Sequence, residues 1–340
     1  MHKAWLGGIV VAGLLVGGAA QAQTVQAGGL ELDLSGRVQA QFNTTSVDED
    51  VLGETLPSSV FETRRVRFGT KFDYEGWLTG TVEADFGGES ARLTDGFIDA
   101  RLADGFVLRA GQFKKPFGLI ELTSSTQTPM IERSARIRGL EDLLALRAGA
   151  VIGEEQWLLD ESGYVGRQIG VMAHGTVGRL GYAAGVFNGE GANQREVEGS
   201  KAFAARVTYA VTEPLVLGVA VGSQPTGSFD ADGDEIHVQA LSVDAEYGAF
   251  RRPGLHVLAE AMYGDNGLIL DAVDFEPATM AGAQVIAAWF VPREGGRVEG
   301  LEPLLRVSWG DPSGDDSDSG VLLTPGANVY FTGRNRFMVN

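Results

Sequence analysis

The sequence predicts an all-β fold, a transmembrane antiparallel β-barrel, and three observations carry that prediction. Apolar and polar residues alternate with a period of two over many successive segments. The connections between these segments alternate between short and long. The chain opens with an export leader yet has no cysteine, so an exported chain of 340 residues must be held without disulfides.

The leader comes first. His2 and Lys3 form a basic start, residues 6–20 are apolar, and Ala20-Gln21-Ala22 is an A-x-A cleavage site. The apolar run is too short and too rich in small residues for a spanning helix, so residues 1–22 are expected to be removed. The domains are then a signal peptide, 1–22, and one barrel, 23–340. Forty-eight glycines, eleven prolines and a mean hydropathy of +0.00 fit a wall with one face in lipid and one in water. A soluble β-sandwich or propeller shares that composition.

Strands follow in order. Residues 30–42 place Leu30, Leu32, Leu34, Val38, Ala40 and Phe42 on one face, and Glu31, Asp33, Ser35, Arg37, Gln39 and Gln41 on the other. Residues 60–72 set Val66, Phe68 and Phe72 against Arg65, Arg67 and Lys71. Residues 77–86 set Leu78, Val82, Ala84 and Phe86 against Thr79, Thr81, Glu83 and Asp85. Residues 92–102 and 106–113 meet at Ala103-Asp104-Gly105, a hairpin turn by its Asp-Gly pair. Alternation resumes near 168–175, 180–187, 202–210, 215–222, 236–247, 255–263, 281–291, 302–309 and 326–332, and a last strand begins at Asn335.

The connections decide between the β architectures. Those at 73–76, 103–105, 178–179, 212–214, 249–253, 292–300 and 333–334 are short, and nearly all the others are long. Short turns at one end and long loops at the other mark an outer-membrane barrel; a sandwich or propeller has no reason to sort its loops so. Tyr74, Trp77, Tyr209, Tyr263, Trp289, Trp309 and Phe331 lie near strand ends, as interfacial girdles require. Charge is sorted as well. The long loops 46–59, 188–201, 223–235, 264–279 and 311–324 hold 19 acidic residues and only two basic ones, against a net charge of −18 for the chain. That acidity suits solvated loops, cation attraction at a mouth, or divalent-cation bridging to an anionic lipid leaflet.

One long segment departs from this pattern. After the strand at 106–113, Lys114, Lys115 and Pro116 open an unpatterned stretch to residue 166. Residues 109–147 carry seven basic groups (Arg109, Lys114, Lys115, Arg133, Arg136, Arg138, Arg147) and four acidic ones, a balance opposite to the other long loops. The basic groups serve either to hold a passing anion or to anchor the loop to the wall. Arg65, Arg67 and Lys71 share the interior face, either as an anion ladder or paired with Glu83, Asp85, Asp95 or Asp99.

Other chemistry has little support. His174, His237 and His256 lack metal-ligand spacing. Asp230, Asp232, Gly233, Asp234 and Glu235 open like a calcium loop but lack the late Glu. There is no Gly-x-Ser-x-Gly elbow and no cysteine nucleophile. The acidic balance argues against nucleic acid. No enzyme, metal or cofactor is therefore expected.

Several runs resemble a known family. They are Phe61-Glu62-Thr63-Arg64-Arg65-Val66-Arg67-Phe68-Gly69, Gly111-Gln112-Phe113-Lys114-Lys115-Pro116-Phe117-Gly118-Leu119, Glu121-Leu122-Thr123-Ser124-Ser125, Met130-Ile131-Glu132-Arg133, Arg167-Gln168-Ile169-Gly170 and Gly185-Val186-Phe187-Asn188-Gly189. They are similar to the phosphate-selective porin O and P family, most densely over residues 61–135. The resemblance implies a homotrimeric porin in the outer membrane of a Gram-negative bacterium, in contact with lipid and lipopolysaccharide. It implies about 16 strands, a third long loop (here 114–166) folded into the lumen, and passive diffusion of small hydrophilic or anionic solutes. It places Arg65, Arg67, Lys114, Lys115 and Arg133 on an anion path; Lys71, Arg109, Arg136 and Arg138 join them on charge and position alone. The strand count falls short, so the last one or two strands are expected to be missing from this chain. The acidic loops support a second expectation, a general or cation-preferring porin. An outer-membrane enzyme or adhesin is a third, which no motif favours.

Overall fold

A computed structural model describes residues 10–15, 24–47, 56–88, 90–133, 162–195, 199–230, 232–270, 276–314 and 319–340. Seventeen strands form one antiparallel sheet: β1 (Val10–Leu15), β2 (Thr24–Ala27), β3 (Leu30–Val47), β4 (Leu56–Tyr74), β5 (Leu78–Asp85), β6 (Arg92–Ala103), β7 (Phe106–Lys114), β8 (Arg167–Val177), β9 (Leu180–Phe187), β10 (Ala202–Ala210), β11 (Leu215–Phe229), β12 (Glu235–Tyr247), β13 (Gly254–Leu270), β14 (Pro277–Pro292), β15 (Val298–Asp311), β16 (Gly320–Phe331) and β17 (Arg336–Val339). Helix is confined to α1 (Leu119–Leu122) among the described residues.

From β3 to β17 each strand pairs with its neighbour in sequence. The period-two pattern sets the faces. Val38, Phe68, Val82, Ile98, Val171, Val219, Val243 and Val285 stand exposed on the outer wall, where lipid is their solvent. Tyr74, Trp77, Tyr209 and Trp289 are exposed near the short-turn end, and Tyr263 and Trp309 nearer the other end. Their amphipathic rings suit the two lipid–water interfaces.

The strands run further than alternation suggested. β3 and β4 extend over 47 and 56, and β11 and β13 reach Phe229 and Leu270. Irregular register between Pro225 and Phe229, and between Asn266 and Leu270, carries the pairing past positions where the alternation breaks. Above the lipid both faces meet water, so binary patterning stops reporting a strand that still continues.

The other difference lies at the seam. β3 to β17 is an odd run, so β3 and β17 run in the same direction and cannot pair antiparallel. They do not pair with each other. β1, assigned from sequence to the leader, runs the opposite way between them, pairing Ala12 with Val339 and Val10 with Thr44. Unpaired backbone edges are costly at membrane depth, and an apolar segment that begins Val-Val suits both edges. β2 pairs lower on the same edge of β3, from Thr24–Asp33 to Ala27–Leu30.

Candidate functional site: a loop-narrowed lumen

The excursion after β7 folds inward because its sequence can neither continue the sheet nor face water. Lys114 still pairs with Arg167 at its base, and Lys115 N–H donates to Gly166 O at 3.0 Å. Pro116 then removes the next donor. Gly118, at φ 73°, turns the chain into α1, and a Cβ there would lie 3.2 Å from Glu260 Oε1 of β13. Glu260 Oε2 accepts the Ile120 N–H at 2.9 Å, satisfying one of the donors that a helix start leaves open.

The apolar side of the loop lies on the inner face of the second half of the barrel. Phe117, with Tyr164 and Val165 from its far end, packs on Ala220, Val238, Ala240, Met262 and Met280. Leu119, Ile120 and Met130 pack on Leu258, Ile286, Ala288 and Leu304. Ile131 meets Met338. Phe117 and Tyr164 stack with centroids 5.8 Å apart. Gly222 beneath them leaves the rings room: a Cβ would sit 3.2–3.3 Å from both, a tight contact.

Wall side chains meet the loop's backbone. Arg336 donates to Thr128 O (2.8 Å) and Ser125 O (3.0 Å), Asn328 to Pro129 O (2.8 Å), and Arg306 to Arg133 O (3.1 Å). The carbonyls of an irregular segment thus find the partners that burial demands.

These contacts place the loop cations. Lys115 is 1% exposed and donates to Gln224 at 3.0 Å. Lys114 pairs with Glu121 at 2.8 Å and also donates to the Glu121 carbonyl. Arg133 donates to Ile120 O (3.1 Å) and Thr123 O (2.6 Å) and lies 3.8 Å from Glu121. All three engage the loop or the wall. Burial by itself would raise the Glu121 carboxyl; Lys114 and Arg133 outweigh it and hold the group below the usual carboxylate range. Arg136 and Arg138 lie outside the described residues.

The first half of the barrel carries a polar, charged inner face. Register slips between Gln39 and Ala40, leaving Arg64 as the extra residue of a bulge. Arg64 and Arg65 therefore both reach Glu132 of the loop: Arg64 Nε to Oε1 at 2.6 Å, Arg65 Nη2 to Oε2 at 3.0 Å. Arg65 also donates to Gln39 at 2.8 Å. Arg67 pairs with Asp85 (2.7 Å) and Glu83 (3.1 Å), and Arg167 with Asp95 (2.9 and 3.0 Å). Arg109 makes a bidentate pair with Asp99 (2.7 Å twice) and lies 3.8 Å above the Phe97 ring. Among the described residues Arg37, directly across from Arg67, and Lys71 make no ion pair. Among the described residues the lumen holds a cavity of about 690 Å³ toward the short turns and one of about 480 Å³ toward the long loops.

Of the sequence-predicted residues, Arg65, Arg67, Lys71 and Arg109 lie on this wall. Lys114, Lys115 and Arg133 lie at the loop's seat. Arg37, Arg64, Arg167, Arg306 and Arg336 were not singled out. Inward parity flags Arg37 and Arg306; the bulge hides Arg64, since strict alternation would turn it to lipid. In the calcium-like stretch, Asp230 Oδ1 accepts the Asp232 and Asp234 N–H groups at 2.9 Å in a turn. No group of three or more metal-ligating side chains is placed to hold an ion among the described residues.

The family model for phosphate-selective porin O and P matches residues 32–251. The chain belongs to this family. It is an outer-membrane porin, a barrel for passive diffusion of small hydrophilic solutes. The outer-membrane channel DcaP of Acinetobacter baumannii is similar in fold, with a TM-score of 0.54 at 13% identity over 92% of this chain and 97% of that one. OmpF of Salmonella typhi, solved with daunomycin, aligns at a TM-score of 0.46 and 14% identity over 97% of this chain and 94% of that one. No curated relative matches the chain significantly.

Proposed function

We propose that this porin passes small anions in preference to cations, along a path displaced toward β3–β8. The observation that carries the reading is the pair of cations without an ion pair among the described residues, Arg37 and Lys71, on the inner wall of β3 and β4. Around them Arg109 and Arg167 are each balanced by one carboxylate, and Arg67 meets two, Glu83 and Asp85, whose surplus Arg37 offsets. Lys71 then faces Asp33 across the strands without an ion pair, so its ammonium is the charge left to meet a passing anion. Lys114, Lys115 and Arg133 hold the loop that makes the path narrow. The acidic outer loops oppose anion entry, but at physiological salt a charge acts over about 8 Å, so the rim does not cancel a constriction deeper in the lumen.

The rest of the reading is a channel without chemistry, assembled as the trimer that family membership suggests and exported by a leader ending at Ala22. Cleavage there leaves the strands from β2 onward but removes β1, and the edges of β3 and β17 that β1 pairs with then need another partner at membrane depth. Reversal potential across a planar bilayer in a KCl gradient tests the selectivity. Anion preference is expected, reduced in a variant carrying Arg37→Gln and Lys71→Gln. Cation preference in the unaltered protein would overturn the reading in favour of a channel governed by its acidic mouth.

A further inference from the structure

The cavity toward the short turns has a lining unlike the rest of the lumen. Its floor combines Phe97, Phe113 and Met172 from the wall with Leu122 from the underside of the loop. Its cations are Lys71, Arg109, Lys114 and Arg206. Three of these are committed: Arg109 to Asp99, Lys114 to Glu121, and Arg206 to Asp244 (Nη2–Oδ1 2.7 Å). Lys71 is not. Its cross-strand neighbour Asp33 accepts the Thr24 hydroxyl at 2.7 Å and makes no ion pair with it.

A compact inorganic oxyanion is best held by several converging donors, because its charge must be repaid on every oxygen. This cavity offers the Lys71 ammonium beside the Phe97 ring, with Phe113 and Met172 buried behind it and the lining carboxylates Glu83 and Asp95 held by Arg67 and Arg167, and 690 Å³ is far more room than such an ion fills. It falls in the range of pockets that take small organic molecules. Arg109 adds a further feature. One face of its guanidinium lies on Phe97, and the side chain, 22% exposed, lines the cavity. A second flat π-system can stack on the other face without disturbing the pair with Asp99.

We propose that this cavity is a binding subsite for a small organic monoanion with a flat apolar body, an aromatic carboxylate, with Lys71 taking the carboxylate and the Phe97–Arg109 stack taking the ring. The proposal rests on the channel reading only for its physiological sense, since binding itself needs no conduction. The test is titration calorimetry of the detergent-solubilised, folded full chain with sodium benzoate, beside sodium acetate and sodium phosphate at equal ionic strength. Benzoate is expected to bind about tenfold or more tightly than either, roughly the worth of one well-placed contact. Lys71→Gln should weaken benzoate by about tenfold, and Phe97→Leu should weaken benzoate while leaving acetate unchanged. Equal affinity for benzoate and acetate, or benzoate affinity unmoved by both substitutions, overturns the proposal. Single-channel recording keeps the two readings apart. Benzoate binding in a barrel that fails to conduct refutes the channel reading alone, and conduction with no benzoate preference refutes this subsite alone.

Discussion

Replacing Phe117 by alanine tests whether the inward loop is held by its apolar side. Phe117 is 0% exposed, stacks on Tyr164, and touches inner-face residues of β11 to β14. Truncating a buried phenylalanine costs about 3–5 kcal/mol, part transfer and part cavity. The cavity cannot close easily, because the residue beneath is Gly222, with no side chain to move in. The barrel's own hydrogen-bond ladder does not depend on this contact, so the cost falls on docking of the loop. At about 1.4 kcal/mol per tenfold, the docked-to-released ratio drops by a hundredfold or more. Heat-modifiable mobility on gels should show a folded barrel. Single-channel recordings should show bursts to a wider level, and protease added to the folded protein should cut within 114–133 sooner than in the parent. Unchanged conductance together with unchanged cleavage in a folded barrel would refute the view that apolar packing seats the loop.

Glu132→Gln removes the carboxylate shared by Arg64 and Arg65; the reversal potential should move toward anions, and a shift toward cations would contradict the charge reading of the lumen. Acid should loosen the loop: Glu121 has a folded pKa below its ordinary value, so its contribution is complete above pH about 4.5 and is lost as pH falls through the lowered value. Current noise should therefore rise as the pH is lowered below the ordinary carboxylate value and through the depressed Glu121 value, and the rise should be smaller in Glu121→Gln, which has already lost that charge. Amino-terminal sequencing of protein taken from outer membranes should begin at Gln23; a start at Met1 would refute leader removal. Arg64→Ala should release one of the two Glu132 clamps and raise current noise less than Phe117→Ala, a ranking read in the same recordings.

The architecture was legible in the chain alone. Strict alternation fixes which side of each strand meets lipid, and the sorting of short and long connections fixes which end carries the loops. A segment such as 114–133 that interrupts alternation with basic residues and proline also marks itself as the loop that cannot join the wall. The work of each cation was not legible in this way. Lys114, Lys115 and Arg133 read either as an anion path or as an anchor for the loop, because charge is visible in a sequence and its partners are not; Glu121 and Gln224 come to meet them only once the barrel forms. Arg64 shows the same limit: one extra residue in β4 rotates it inward, and no periodicity announces a bulge. Arg306, Asn328 and Arg336 repeat the lesson from the wall, since the loop carbonyls they support lie some 170 to 210 positions away along the chain. Period and composition are local properties of the chain, whereas which charge is neutralised, and which stays free to face the lumen, depends on strands brought side by side from opposite ends of it.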